Sequence, residues 1–197
     1  MISKTAVIHP NVIFGKNVIV EDYCIVGIPF EGMSDEKTLI GSGSLIRAGT
    51  HIYAGNKIGI NFQTGNKTNI RELNLIGDNV SIGTLTVLEH HISIRDNVRI
   101  HSQAFVPEYT ILEESCWLGP NVVITNSTYP KHHHGKKDLN GVLIKKNAKI
   151  GANTTILPGV VIGKGSLIGA GSVVTKDIID NIIVAGNPAI FLRDIDY

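Results

Sequence analysis

An all-β fold, a parallel β-helix wound from six-residue repeats, is the architecture this 197-residue sequence predicts. Three observations carry that reading. Aliphatic residues recur at every sixth position, a column of small or β-branched residues follows four places behind them, and glycine often stands immediately after the aliphatic.

The aliphatic period is the strongest of the three. From Ile76 it runs unbroken through Ile82, Leu88, Ile94, Ile100, Val106, Leu112, Leu118 and Ile124. Upstream it appears as Val7, Ile13, Ile19, Ile25 and as Ile40, Ile46, Ile52, Ile58; downstream it runs Ile144, Ile150, Ile156, Ile162, Ile168, Val174. A period of six fits neither the 3.6 of a helix nor the simple alternation of a half-buried strand. Short strands joined by sharp corners fit it, and three six-residue sides close one 18-residue triangular coil that stacks on the next.

The second column holds Val80, Thr86, Ile92, Val98, Ala104, Thr110, Cys116, Val122, Ala148, Thr154, Val160, Ser166 and Ser172, which places Cys116 indoors. The glycines, Gly41, Gly59, Gly77, Gly83, Gly119, Gly151, Gly163 and Gly169, suit a bend too crowded for a side chain. Together the repeats predict a single domain over residues 1–197.

Three places break the pattern, and solenoids keep binding loops on such breaks. Between Ile25 and Ile40 the phase slips by three residues around Gly27, Pro29 and Gly32. In the run NFQTGNKTN, Thr64 takes an aliphatic place, which predicts an irregular coil. The largest break, about Asn126 to Val142, is the basic loop NSTYPKHHHGKKDLNGV. Its consecutive histidines, His132 to His134, are poorly disposed to converge on one ion, so no metal is expected. Lys131, Lys136 and Lys137 suit either a phosphate or plain solvation.

Composition limits the partners. A formal charge of +1 supplies no basic field for nucleic acid or anionic membranes. No stretch approaches the roughly 20 apolar residues of a membrane span, and the start, MISKTAVIHP, lacks a long apolar signal core. A cytoplasmic protein working on small molecules is expected. Cys24 and Cys116 match no metal or redox spacing and are read as packed thiols.

In stacked 18-residue coils, residues 18 apart stand one above another at about 4.8 Å. Subtraction then gives an outward polar column of Glu72, His90, Glu108 and Asn126 that leads to the long loop. Beside it run Arg71, Glu89, Pro107 and Thr125. A histidine is suited to take a proton at neutral pH, and Glu72 or Glu108 is placed to orient its ring. Arg71 and Glu89, one coil apart, suit a supporting ion pair. Backbone N–H groups or Asn126 are placed to steady an oxyanion.

The segments IGANTTILPGVVIGKGSLIGAGSVVTKD and AGNPA resemble the hexapeptide-repeat acyltransferases, and the resemblance spans nearly the whole chain. It implies a left-handed coil, against the usual right-handed crossover. It also implies a homotrimer with acyl-CoA, most simply acetyl-CoA, meeting the acceptor between neighbouring prisms. VLEHHISI resembles the segment that carries the catalytic histidine in sugar acetyltransferases acting on nucleotide-linked amino sugars. His90 holds the matching place, and His91 stands where an acidic residue usually follows. GPNVVITNSTYP is similar to related amino-sugar acetyltransferases and to galactoside and maltose acetyltransferases, but Tyr129 stands where the latter carry histidine. His101 in IHSQAF is the second candidate base. By the same resemblance Ala152 and Ala170 admit the pantetheine arm, and Thr175 and Lys176 lie toward the nucleotide end. Arg71, Glu89, Asn126 and Tyr129 are the expected acceptor-side residues.

The expected activity is therefore acyl-CoA-dependent N-acyl transfer to an amino sugar, nucleotide-linked by resemblance. Sugar O-acetylation is the alternative within the superfamily. A metal enzyme like the γ-class carbonic anhydrases would show two histidines five apart, whereas His90 and His101 differ by 11. A non-catalytic scaffold is the third reading, which the fold also permits.

Overall fold

Each repeat becomes one short strand and one corner in the computed structural model, which describes residues 1–31, 36–131 and 139–195. Typical strands are two residues long, such as Asn69–Ile70, Leu75–Ile76 and Ser81–Ile82. Successive strands join three sheets in rotation, giving sheets of nine, eight and ten strands among the described residues and no helix. Partners in register lie 18 residues apart: Asn69 pairs with Val87, Val87 with Phe105, and Ser81 with Arg99. The chain is a left-handed parallel β-helix with three faces. Among the described residues no helix is long and apolar enough to cross a membrane.

From Ile40 onward the aliphatic column fills the interior. Ile46, Ile52, Ile70, Leu88, Leu112 and Leu118 are fully buried, and each such side chain contributes about 1.5–3 kcal/mol relative to exposure. The second column is buried as well, Cys116 included. Its hydroxyls bond corner carbonyls: Thr86 Oγ1 donates to the His101 carbonyl at 3.0 Å and Thr110 Oγ1 to that of Pro107 at 2.8 Å. The glycine column is crowded as expected. A methyl group on Gly83 would collide with the Ser102 nitrogen, and one on Gly151 would stand 2.5 Å from the Ala170 nitrogen.

The first coils correct the sequence phase. Val7 and Ile13 face outward, 51% and 50% exposed, while Val20 and Val26, one place later in their strands, are buried. Val-Ile and Ile-Val pairs are apolar at both positions, so periodicity alone leaves the phase open by one. The corner decides it, because the left-handed residues Asn17 and Tyr23 stand three places after Phe14 and Val20. The interruption before Ile40 therefore shifts the phase by two, not three: Ile25 pairs with His51, eight residues beyond the period. Thr64 also departs from expectation. Its coil is regular, Gln63 and Thr64 pairing with Ser81 and Ile82, and the buried Thr64 hydroxyl accepts the Arg47 N–H at 2.9 Å.

The long loop enters where predicted. Ile111 pairs with Leu143 and Trp117 with Lys149, fourteen residues beyond the period, so the insertion leaves the prism without disturbing its stack. His132–His134, Lys136 and Lys137 lie outside the described residues, as does Gly32.

Candidate functional site

Glu72, His90, Glu108 and Asn126 stand on successive coils at the corner between the nine- and eight-stranded sheets, two residues after Ile70, Leu88, Val106 and Ile124. Parallel pairing of the preceding strands fixes them in one column. This is the vertical register that subtraction anticipated.

The column divides into two linked groups. In the lower one, Arg71 Nε donates to Glu72 Oε2 at 2.8 Å and Nη2 to Oε1 at 3.0 Å, a two-pronged contact. The same guanidinium reaches Glu89 Oε2 at 3.7 Å and lies 5.0 Å from the centre of the Tyr53 ring. Glu72 is only 6% exposed, and burial pushes its carboxyl toward protonation. Its Arg71 hydrogen bonds and charge, with a smaller contribution from His90, outweigh burial and hold it below the ordinary glutamate value. Arg71 is raised in turn, chiefly by the hydrogen bond to Glu72.

In the upper group, His90 Nε2 stands 3.7 Å from Glu108 Oε1. Asn126 Nδ2 donates to Glu108 Oε2 at 2.8 Å and to its carbonyl at 3.3 Å, which fixes that carboxylate and occupies the Asn126 amide. The other His90 nitrogen, Nδ1, lies 2.8 Å from His91 Nδ1. Tyr109 closes the cluster, its ring centre 6.2 Å from that of His90 and 5.8 Å from that of His91.

His101 sits at another corner, beyond the ten-stranded sheet. Arg99 Nε donates to its Nε2 at 3.0 Å, so that lone pair is taken. Burial, and then the Arg99 charge, lower its proton affinity. Its ring packs on Trp117 with centres 4.8 Å apart. Trp117 lines a groove of about 560 Å³ with Ser115, Lys149, Leu167, Gly169 and Ala170.

The four expected donor-side residues thus separate. Ala170 lines the groove, and Ala152 occupies the equivalent corner one coil below, since Ile150 pairs with Ile168. Thr175 and Lys176 are exposed at the other corner, with Lys176 four coils above His90, about 19 Å away at about 4.8 Å per coil. Tyr129 is 74% exposed at the start of the long loop. Among the described residues no group of three or more His, Cys, Asp or Glu is disposed to hold a metal ion.

Four contributors were not singled out by the sequence: His91 as the partner of His90, Tyr53 beneath Arg71, and Trp117 and Lys149 in the groove. Tyr53 lies one period before Arg71, so the same subtraction would have found it. The corner position three after the aliphatic is left-handed at most coils and is mostly Asn or Gly; beside this column it is Leu73, His91 and Tyr109, with φ of 59°, 57° and 63°, as it is Tyr23, Lys67, Leu85, Gln103 and Ser115 at other corners.

Comparison with known proteins places these features in a family context. Residues 141–176 match the bacterial transferase hexapeptide (six repeats). A galactoside O-acetyltransferase of Lactococcus lactis is 37% identical over 127 residues, covering 62% of this chain and 56% of that protein. A dTDP-3-amino-3,6-dideoxy-alpha-D-galactopyranose 3-N-acetyltransferase of Aneurinibacillus thermoaerophilus is 49% identical over 47 residues, 24% of each chain. The chain thus spans little more than half the length of the first of these curated relatives. The solved UDP-N-acetylglucosamine acyltransferase of Francisella novicida superposes with a TM-score of 0.73 at 18% identity, covering 98% of this chain and 69% of that one. That likeness speaks for the fold.

Proposed function

The chain belongs to the hexapeptide-repeat superfamily, and from that premise we propose that it is an acetyl-CoA-dependent N-acyltransferase acting on an amino sugar, with nucleotide-linked amino sugars as the leading substrate class. The observation that carries this reading is His90 set at an outward corner with its Nε2 facing the Asn126-anchored carboxylate of Glu108. His90 Nε2 takes one proton from the ammonium form of the acceptor, the freed amine attacks the thioester carbonyl, and as the carbon–sulfur bond breaks the departing thiolate takes up the nitrogen's second proton and leaves as the coenzyme thiol. Glu108 stabilises the imidazolium that forms.

The charge around His90 favours an amine over a hydroxyl. Arg71 pairs with Glu72 and Glu89 while the Glu108 carboxylate faces His90, so among the described residues these three carboxylates outnumber the arginine, and the corner attracts an ammonium group and benefits from a base that deprotonates it. Arg71 is committed to Glu72 and Glu89, which suits it to holding the acceptor side in shape. The groove beside Trp117 suits the pantetheine arm, with Lys149 near it and Ala170 leaving room. His90 and this groove lie at different edges of one prism. Bringing donor and base together therefore calls for another copy of the chain, which supports a homotrimer drawing on the cytoplasmic acyl-CoA pool.

Sugar O-acetylation is the second reading, favoured by the Lactococcus lactis relative. Incubating the protein with acetyl-CoA and panels of amino sugars, free and nucleotide-linked, alongside galactosides and maltose, separates the two. N-acetylated product with release of free thiol is expected. Acetylation of hydroxyl acceptors alone would replace the first reading by the second.

A further inference from the structure

The two adjacent histidines form a coupled pair with a division of labour that His90 alone does not explain. Their Nδ1 atoms stand 2.8 Å apart and their rings meet edge to face, centres 4.9 Å apart at 83°. Nitrogens at that distance share one hydrogen, so one ring donates and the other accepts. His91 is held for this by its backbone, at φ 57° in the left-handed region, with the Tyr109 ring beside it. Leu73 occupies the same left-handed place one coil below, so the corner itself does not require a polar side chain.

We propose that His91 is a positioning residue that accepts the Nδ1–H of His90 once His90 has taken the substrate's proton, and that a second proton on the pair breaks their contact and disables the base. The inference rests on the reading in which His90 is that base.

Proton bookkeeping shows why. With one added proton, the charge is best placed on His90: its Nε2–H then faces Glu108 Oε1, and its Nδ1–H points at the lone pair of a neutral His91. With two added protons, both Nδ1 atoms carry hydrogen and repel across the same gap. The charged and titratable groups around the pair are Glu72, from the coil below, and Glu108 and Tyr109, from the coil above; Arg71 and Glu89 stand beside them, Arg71 pairing with both Glu72 and Glu89. A neutral histidine thus does the work that an acidic neighbour does in a base dyad, but with an acid-sensitive off state. Two coupled groups of this kind titrate as a pair rather than singly.

Two variants separate positioning from mere structure. His91→Asn keeps an acceptor oxygen, favours the left-handed corner and cannot titrate; His91→Leu copies Leu73 and removes the acceptor. The probe is the proton itself, followed on the nitrogen-15-labelled imidazoles of the whole protein by NMR across pH. In the native chain His90 is expected to take the first proton and His91 the second, with the His90 signals moving in both steps. In H91N, His90 is expected to titrate in one step near its first native step; in H91L that step shifts to lower pH. In acetyl transfer, H91L is expected to lower kcat about tenfold or more with KM for acetyl-CoA unchanged, and H91N to restore most of it. Independent titration of the two rings, first protonation at His91, or a His90 titration indifferent to H91L would overturn the proposal. Coupled titration together with full activity of a His90→Ala variant would instead overturn the assignment of His90 as base, so the two failures are distinct.

Discussion

Glu108 stands one coil above His90 with its Oε1 3.7 Å from the His90 Nε2, while its Oε2 is held by Asn126 at 2.8 Å. The carboxylate is anchored from above and offered to the histidine below. Glu108→Gln keeps the shape and removes the charge that stabilises the imidazolium. It is expected to lower kcat for acetyl transfer about tenfold or more, with little change in melting temperature, because a partly exposed pair contributes little to stability. Steady-state rates beside a thermal melt check this, and an undiminished kcat removes Glu108 from the account.

Arg71 neutralises a carboxylate that is almost fully buried. Arg71→Ala leaves Glu72 charged and unpaired at neutral pH, at a cost of about 1–3 kcal/mol, with water at the half-exposed guanidinium favouring the lower end. The sign of the pH dependence follows from the lowered Glu72 value. In the native chain the pair contributes stability above the ordinary glutamate value of 4.5, and this is lost as pH falls through the folded value. In the variant Glu72 takes a proton more readily, so the gap between variant and native chain narrows on acidification. Urea unfolding at neutral pH and near pH 4 measures it; a gap that widens in acid contradicts the assignment.

At most corners the residue three places after the aliphatic is left-handed whether or not its side chain suits it. Leu85, φ 58° and exposed, is one that does not. Leu85→Asn places a residue tolerant of that region at a position remote from His90 and is expected to stabilise the fold by about 0.5–1 kcal/mol. Denaturant unfolding reads the gain, and a loss would mean that Leu85 packs against something its exposure does not reveal.

Both thiols are packed into the interior. Burial pushes Cys116 up to about 12 and raises Cys24 as well. At pH 8 the thiolate fraction of Cys116 is on the order of one in ten thousand, so neither cysteine is expected to react with a thiol reagent until the fold opens. Two thiols should then titrate together; reaction in the native state would show that a coil opens locally.

The prism was legible because its cause is repetitive: one inward aliphatic and one small inward residue per side, stacked by parallel pairing. Phase was not legible where Val7-Ile8 and Ile19-Val20 are apolar at both places, and there the left-handed corners at Asn17 and Tyr23 settle it. Regularity at Thr64 escaped because a buried hydroxyl that accepts a backbone N–H replaces a methyl group without disturbing the strand. The column of Glu72, His90, Glu108 and Asn126 followed from the 18-residue period, but its wiring did not. Spacing puts Glu72 and Glu108 equally near His90; only side-chain geometry commits Glu72 to Arg71 and leaves Glu108 to the histidine. The separation of His101, whose Nε2 is occupied by Arg99, likewise lies beyond any column count.

The most direct measurement compares the native chain with His90→Ala for acetyl transfer from acetyl-CoA to the amino-sugar acceptor identified by the panel, with the fold of both checked by circular dichroism. The account predicts a fall in kcat of about a hundredfold or more with the β-helix intact. An intact variant that acetylates the amine at the native rate would contradict it.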